Sequence, residues 1–423
     1  MRYSILFGKA KKTAPHDAES INAKLLSQGG FIHQMMAGVY SYLPLGLRVL
    51  NKIKDVVREE MDAIAGQELL MPALQPKELW DETGRWEKLS DIMYQFESRG
   101  KQLGLGTTHE EPVVEIARHY ISSYKDLPLA LYQIQDKFRN EPRAKSGLLR
   151  GREFSMKDLY TFHESEDDLK EYYDKAVEAY KKIFKRCGLD AIVTEASGGE
   201  FTKEFSHEFQ VVTANGEDTI YFCPACSWCQ NKEIAKVMKG DKCPECGKKI
   251  EEHRSIEVGN IFKLGTRYSK DMKLQYADAD GKKKDVVMGC YGIGPSRVMG
   301  AVVEVHNDKD GIIWPKEIAP YYVQIVTLGA KDESINSEIM SAGSNLYDQL
   351  DNAGIEVLWD DRDDASAGEK LKDADLLGMP LRILISEKTL KDNSVEWKFR
   401  SEKKPAIVNV RDVFEKIEAW VKE

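Results

Sequence analysis

The sequence predicts an α/β chain in two parts. The larger is an α+β domain over residues 1–316, with a small cysteine-rich insert at 222–247; the smaller is an α/β domain over 317–423. Three observations carry this. Residues 136–160 read as strand, basic glycine-bearing turn and strand, a hairpin that brings Arg150, Arg152 and Phe154 back towards Arg139 and Glu141. Residues 322–385 alternate strand and helix patterns, which implies a parallel or mixed sheet. Between them, Cys223-x2-Cys226 and Cys243-x2-Cys246 have the spacing of paired knuckles around one tetrahedral ion.

Over 44–61, Leu47, Leu50, Ile53, Val57 and Met61 recur at three- and four-residue steps, the pattern of an amphipathic helix. Gly66 ends it, and 67–74 reads as a strand whose Pro72 places it at a sheet edge or an interface. Around 101–115 a strand runs through a turn into a helix; Thr108 with Glu111 three residues on predicts a capping box. A helix follows at 164–187, then strands at 206–212 and 256–262 on either side of the cysteines. The stretch 287–297 passes through Gly292-x-Gly294 into a helix at 298–305. Gly311, Pro315 and Pro320 mark a boundary. Beyond it the pattern gives strands at 322–327, 355–359 and 381–385 and helices at 336–352 and 369–377. There is no internal repeat and no low-complexity tract.

The composition, 42% hydrophobic and 31% charged with a net charge of -9, is that of a globular chain and argues against a wholesale nucleic-acid coat. A local basic surface could still bind RNA. No apolar run approaches the roughly 20 residues of a membrane span, and the first residues lack a secretory h-region, so a cytoplasmic enzyme without membrane association is expected. Five of seven cysteines lie between Cys223 and Cys246, which in a reducing compartment reads as metal rather than disulfide. A closed set of four thiolates is a structural zinc site; Cys223, Cys243 and Cys246 are joined by Cys226 or Cys229.

The hairpin suits a nucleoside triphosphate: guanidinium forks for phosphate oxygens, a carboxylate for an exocyclic amine, an aromatic face for the base. Gly292-x-Gly294 before a helix N-terminus, followed by Arg297, is an anion-binding arrangement in its own right. Met156, Asp158 and Tyr160 alternate on one strand face as candidate pocket walls. Cys290 reads as a buried small thiol.

The hairpin, with Arg152-Glu153-Phe154-Ser155-Met156-Lys157-Asp158, resembles the second signature motif of class II aminoacyl-tRNA synthetases, and its wording is similar to that of the bacterial-type prolyl-tRNA synthetases. The likeness runs from Leu43-Pro44-Leu45-Gly46 through Trp80-Asp81-Glu82-Thr83-Gly84-Arg85-Trp86 to Asp360-Asp361-Arg362. It implies a class II catalytic domain built as an antiparallel sheet flanked by helices, a homodimer built on the first motif, and activation of L-proline by ATP with Mg2+ for transfer to tRNA(Pro). By resemblance, Arg139 bridges the α-phosphate and the substrate carboxylate, and Arg139 and Arg297 are the catalytic arginines. Glu141 accepts from the adenine amine and Phe154 stacks on the base. Arg150 or Arg152 reaches the outer phosphates, and Arg297, after Gly294, holds the γ-phosphate. Thr108 and Glu110 meet the proline ammonium. Glu257 and Asn260 stand by the nucleotide or its magnesium, Phe262 by the ring, and His207 near the site.

The resemblance further implies that 317–423 binds the anticodon, with Asp361, Arg362, Glu396 and Lys398 as nominees. There are two departures. Bacterial-type relatives commonly carry a large insertion between the second and third motifs that hydrolyses misattached alanine; here only the cysteine-rich stretch occupies that place, so no cis editing is expected. Thr107 stands where a proline is usual. The rival readings are a synthetase-like regulatory or tRNA-binding paralogue, which would usually lose a phosphate-binding arginine, and a threonyl- or seryl-type synthetase.

Overall fold

Strand pairing around the hairpin organises most of the chain. In the computed structural model, which describes every residue except Asp17, Arg143, Lys145, Glu200 and Lys203, nine strands form one sheet: β1 (Gln67–Glu68), β2 (Leu129–Phe138), β3 (Glu153–His163), β4 (Ala191–Ser197), β5 (Phe205–Val212), β6 (Asp218–Phe222), β7 (Cys229–Asn231), β8 (Glu251–Gly265) and β9 (Val287–Ile293). Their order is β5-β4-β7-β6-β8-β9-β3-β2-β1, and β5 also pairs with β8. The run β5, β8, β9, β3, β2 is antiparallel throughout.

The predicted helices appear as α1 (Pro44–Asp62), α2 (Glu110–Tyr120), α3 (Glu166–Arg186) and α4 (Pro295–Val305). α3 is started by Ser165, whose side chain accepts from the Asp168 amide. Its Tyr180 and Phe184 lie against Phe209 of β5, with ring centroids 4.9 and 5.4 Å apart, and so cover one face of the sheet. The other face carries the cleft. The strand expected at 67–74 is cut to Gln67–Glu68, because Pro72 has no N–H for the ladder; beyond Leu69, Gln133 accepts from the Met71 amide instead. The capping box is not formed. His109 is the N-cap residue of α2 and gives no side-chain cap, while the Thr108 hydroxyl donates to Glu110 and Glu111 turns to Arg85.

The last part of the chain holds β10 (Val323–Thr327), β11 (Val357–Asp360), β12 (Leu381–Ile385), β13 (Ser394–Phe399) and β14 (Ala406–Asn409), in the order β11-β10-β12-β13-β14. The first three are parallel and the last two antiparallel. Helices α5 (Glu333–Asn352), α6 (Ala367–Leu377) and α7 (Val410–Lys422) flank them.

By compactness the chain forms two units. One joins Met1–Met35 and Tyr40–Lys52 to Val302–Glu423; the other takes Met36–Val39 and Ile53–Ala301. The N-terminus joins the first because Arg2 bridges to Trp359, the Met1 ammonium donates to the Val357 carbonyl at 2.9 Å, and Arg362 lies 4.4 Å over the Tyr3 ring. Spatial grouping therefore departs from the sequential division at 316–317.

Candidate active site

Strand register decides what the cleft contains. Tyr160 of β3 faces Cys290 of β9, which faces Phe262 of β8. One rung along, Gln133, Asp158, Gly292, Asn260 and Glu208 form a second row across five strands. Glu257 and Asn260 are three residues apart and could not share a face of a regular strand. A bulge opposite Phe209 and Gln210 leaves Val258 unpaired and turns both to the cleft, where the Asn260 amide donates to Glu257 at 3.2 Å.

The cavity over these rungs measures about 290 Å3, and its lining includes Thr108, Glu110, Arg139, Phe154, Met156, Asp158, Tyr160, Asn260, Phe262, Gly294 and Arg297. A second cavity of about 180 Å3 shares Arg139, Phe154 and Arg297 and adds Glu141, Leu148, Arg150 and Gly151. The two together form one elongated site with Arg139 at the join.

At the hairpin end, the Arg139 guanidinium sits 5.3 Å from the Phe154 ring centre and donates weakly to the Thr107 carbonyl at 3.4 Å. Burial, and Arg297 beside it, pull its pKa down. Arg297 donates to Glu257 at 2.9 Å and to the Leu149 carbonyl at 2.9 Å. A Cβ on Gly294 would press on the Cβ of Arg297 at 3.2 Å, so glycine keeps that approach open. Arg150 lies between Glu141 at 3.4 Å and Glu217 at 2.9 Å. Arg152 does not line either cavity; its Nε braces the hairpin turn by donating to the Glu141 carbonyl at 3.0 Å.

The other end is drier. Glu110 accepts from Thr108 at 2.6 Å, from Arg85 at 3.3 Å and from the Cys290 thiol at 3.4 Å. Asp158 is held by Lys137 at 2.8 Å and Gln133 at 2.9 Å. The Tyr160 hydroxyl accepts from the His109 amide at 3.0 Å. Burial, reinforced by Lys137, keeps His109 down at about 4, hence neutral; burial raises the Cys290 thiol.

Like Arg152, His207 differs from expectation. His207 does not line the cleft. It stands in register with Ile261 on the helix side, where its ring nitrogen meets the Tyr173 hydroxyl at 2.7 Å. Its neighbour Glu208 faces the cleft instead, close to Glu257 and Asp218; burial, then Glu257, pushes Glu208 up to about 7. Strand alternation could have found Glu208 had the register been known.

The four sulfurs of Cys223, Cys226, Cys243 and Cys246 all lie within 4.8 Å of one another. Each Cys-Pro-x-Cys turn closes in the same way: the Ser227 amide donates to the Cys223 carbonyl and the Gly247 amide to the Cys243 carbonyl, both at 2.9 Å. Ser227 and Gly247 both adopt left-handed backbone, φ 62° and 71°. Cys229 is turned away to the Thr194 hydroxyl at 3.1 Å, which removes it as an alternative to Cys226.

Residues 94–306 match the tRNA synthetase class II core domain (G, H, P, S and T), and 322–420 match an anticodon binding domain. The proline--tRNA ligase of Geotalea daltonii is 35% identical over 570 aligned positions, covering 100% of this chain and 99% of that protein. That of Desulfitobacterium hafniense is 34% identical over 575, with the same shares. The aligned span exceeds the 423 residues present, so the large insertion is lacking here. Among solved structures, prolyl-tRNA synthetase from Giardia lamblia in complex with prolyl-adenylate shares the fold at TM-score 0.77 and 19% identity, over 98% of this chain and 82% of that one. The Cryptosporidium parvum enzyme complexed with halofuginone and AMPPNP does so at 0.78 and 18%, over 95% and 76%.

Proposed function

The chain belongs to the proline--tRNA ligase family of class II aminoacyl-tRNA synthetases, and from that premise we propose how its cleft activates L-proline with ATP before transfer to tRNA(Pro). The carrying observation is Arg139 at the join of the two cavities. There one guanidinium reaches both the proline carboxylate and the α-phosphate. A carboxylate oxygen attacks the α-phosphorus in line, the bond to the bridging oxygen breaks, and pyrophosphate leaves. No side-chain nucleophile is required; positioning and charge neutralisation carry the step. Phe154 stacks the adenine and Glu141 accepts from its amine. Arg150 and Arg297 take the outer phosphates, while Arg152 shapes the turn. Thr108 and Glu110 receive the proline ammonium, and Met156, Asp158, Tyr160 and Phe262 bound the ring.

Glu257 and Glu208, with the side-chain Oδ1 of Asn260, which has no hydrogen-bond partner among the described residues, fit a hard cation such as the Mg2+ that accompanies ATP. Bound there, it would neutralise phosphate charge. The four thiols fit a structural Zn2+ with no open position.

The functional modules we propose are 1–316 for catalysis and 317–423 for the anticodon. In the latter, β10 and β12 are parallel neighbours from which the chain goes on to β11 on one side and to β13 on the other, and a crevice lined by Gly329, Ala367, Ser386 and Lys388 lies at their carboxyl ends. Such a switch point is where open α/β sheets bind ligands. Arg362 is tied to Asp360 and Asp373, and Asp361 to Ser4, so those nominees serve structure. Exposed Leu70, Leu74 and Phe96 support a homodimer, and unpaired thiols support a cytoplasmic setting. Without the insertion, the protein lacks cis editing.

ATP–pyrophosphate exchange with each amino acid separately tests the reading: proline alone should drive it, and exchange driven by threonine or serine instead would overturn it. Metal analysis should return zinc, lost in Cys243→Ser. Alanine-mischarged tRNA(Pro) should survive incubation; rapid hydrolysis would restore editing.

A further inference from the structure

The stretch from Trp80 to Trp86 takes no direct part in the chemistry above, yet it delivers a cation to the back of the cleft. The Arg85 side chain is 4% exposed and Glu110 and Glu111 are 0% exposed. Arg85 Nη1 donates to Glu111 at 3.0 and 3.1 Å and to Glu110 at 3.3 Å. Its guanidinium is enclosed by the rings of Trp80, Phe201 and Tyr268 at 5.3, 5.5 and 5.4 Å. Thr83 from the same stretch donates to Glu111 at 2.7 Å. Two carboxylates and one guanidinium therefore share one dry box, in which burial raises Glu111 and Arg85 opposes that rise; the other cations that act on Glu110 are Lys137, paired with Asp158, and Arg139 at the join of the cavities. Glu111 is saturated by Arg85 and Thr83, and the uncompensated charge is displayed at Glu110, the only one of the three that lines the cavity.

Resting on the reading of Glu110 as acceptor for the substrate ammonium, we propose that Arg85 is a positioning residue for amino-acid recognition. It fixes the Glu110 carboxylate and leaves the box one positive charge short, a deficit that a protonated ring amine fills and a neutral ring does not. Buried unpaired charge is costly, so completing the count favours the cationic substrate. Arg85 touches neither substrate and acts only through Glu110.

The test compares KM for proline with KM for ATP in the exchange assay. Arg85→Gln should raise the proline KM about 30-fold while the ATP KM stays within about 2-fold. Adding Glu111→Gln returns the box to a single negative charge and should recover at least about 5-fold of that loss. Glu111→Gln alone, which lets Arg85 neutralise Glu110, should raise the proline KM about 5-fold, and this variant serves if Arg85→Gln fails to fold. A purely structural Arg85 predicts the reverse: the double variant no better than Arg85→Gln, or both KM values moving together, and either result overturns the proposal. Glu110→Gln separates the two levels of inference. If it leaves proline KM unchanged, the site reading itself fails; if it raises proline KM while the Arg85 and Glu111 variants do not, only the present proposal fails.

Discussion

The two ends of the cleft are built on different physical terms. At the nucleotide end the charged side chains are half-exposed: Arg297 and Glu257, at 2.9 Å, are 30% and 29% exposed, and Arg150 divides itself between Glu141 and Glu217. Such pairs are worth little in water and can be exchanged for phosphate at small cost. At the amino-acid end Glu110, Asp158, Lys137 and Arg85 are buried and already hydrogen-bonded or ion-paired. Breaking one of those pairs strands a charge. The difference teaches a division of labour: the site accommodates a large polyanion by rearranging surface pairs, and selects a small zwitterion with groups that cannot rearrange.

Arg139 belongs to both ends, and removing it should break the distinction. Arg139→Ala is expected to lower proline-dependent pyrophosphate exchange at least about 10^3-fold, with the KM values for proline and ATP both affected. A loss confined to ATP would place Arg139 at the nucleotide end alone.

Beneath the closed end lies a further buried amine. Lys157, on the helix side of β3, donates to the Tyr180 hydroxyl at 2.6 Å and to the Tyr291 carbonyl at 3.2 Å. Burial pulls it from 10.5 down to about 7. The sign follows from linkage. Between pH 10.5 and 7 the unfolded chain takes up this proton before the folded one, so stability falls as pH falls and then levels off below about 7. Lys157→Met removes the proton. Its stability relative to the parent should be highest near pH 7, and that advantage should shrink by a few kcal/mol towards pH 10.5 in urea unfolding. A constant difference across that range would mean that Lys157 keeps its proton when buried.

The open end should yield a smaller and separable effect. Glu257→Gln loosens Arg297 and removes one oxygen charge from the cation site. It is expected to raise the ATP KM about 10-fold and leave the proline KM within about 2-fold. Equal movement of both would erase the proposed division.

What the sequence revealed follows the same line. The nucleotide end was legible because its residues lie on one hairpin: Arg139, Glu141, Arg150 and Phe154 are close in the chain, and strand–turn–strand alternation brings them together. Likewise β12 is read to the residue from an apolar run between turn signals, and the cysteine spacing pointed to the knuckles. The amino-acid end depends on long-range register. Arg85 reaches Glu110 from a segment with no regular strand or long helix; its motif carries the family likeness, but nothing local in it points to Glu110. The bulge at Val258 has no sequence signature, yet it puts Glu257 beside Asn260. The strands β13 and β14 and helix α7 were missed because a charged stretch, Ser401-Glu402-Lys403-Lys404, interrupts weak patterns that tertiary packing then stabilises.

The smallest expected effects test the register that separates the two faces of the sheet. Glu208 and His207 are adjacent on β5, and alternation sends one to the cleft and the other to Tyr173. Glu208→Gln keeps the bulk and hydrogen-bonding reach of the side chain but removes a charge opposite Asn260. It should weaken exchange a few-fold through the ATP KM. His207→Ala removes a hydrogen bond from the helix side and should leave both KM values unchanged, while costing about 1 kcal/mol in unfolding. Both readouts are needed, because a catalytic effect of His207→Ala with no loss of stability would mean that β5 is slipped by one residue. A one-residue slip turns every side chain of a strand to the other face. It would carry Glu208 out of the cation site and His207 into it, so this pair of variants measures the register directly.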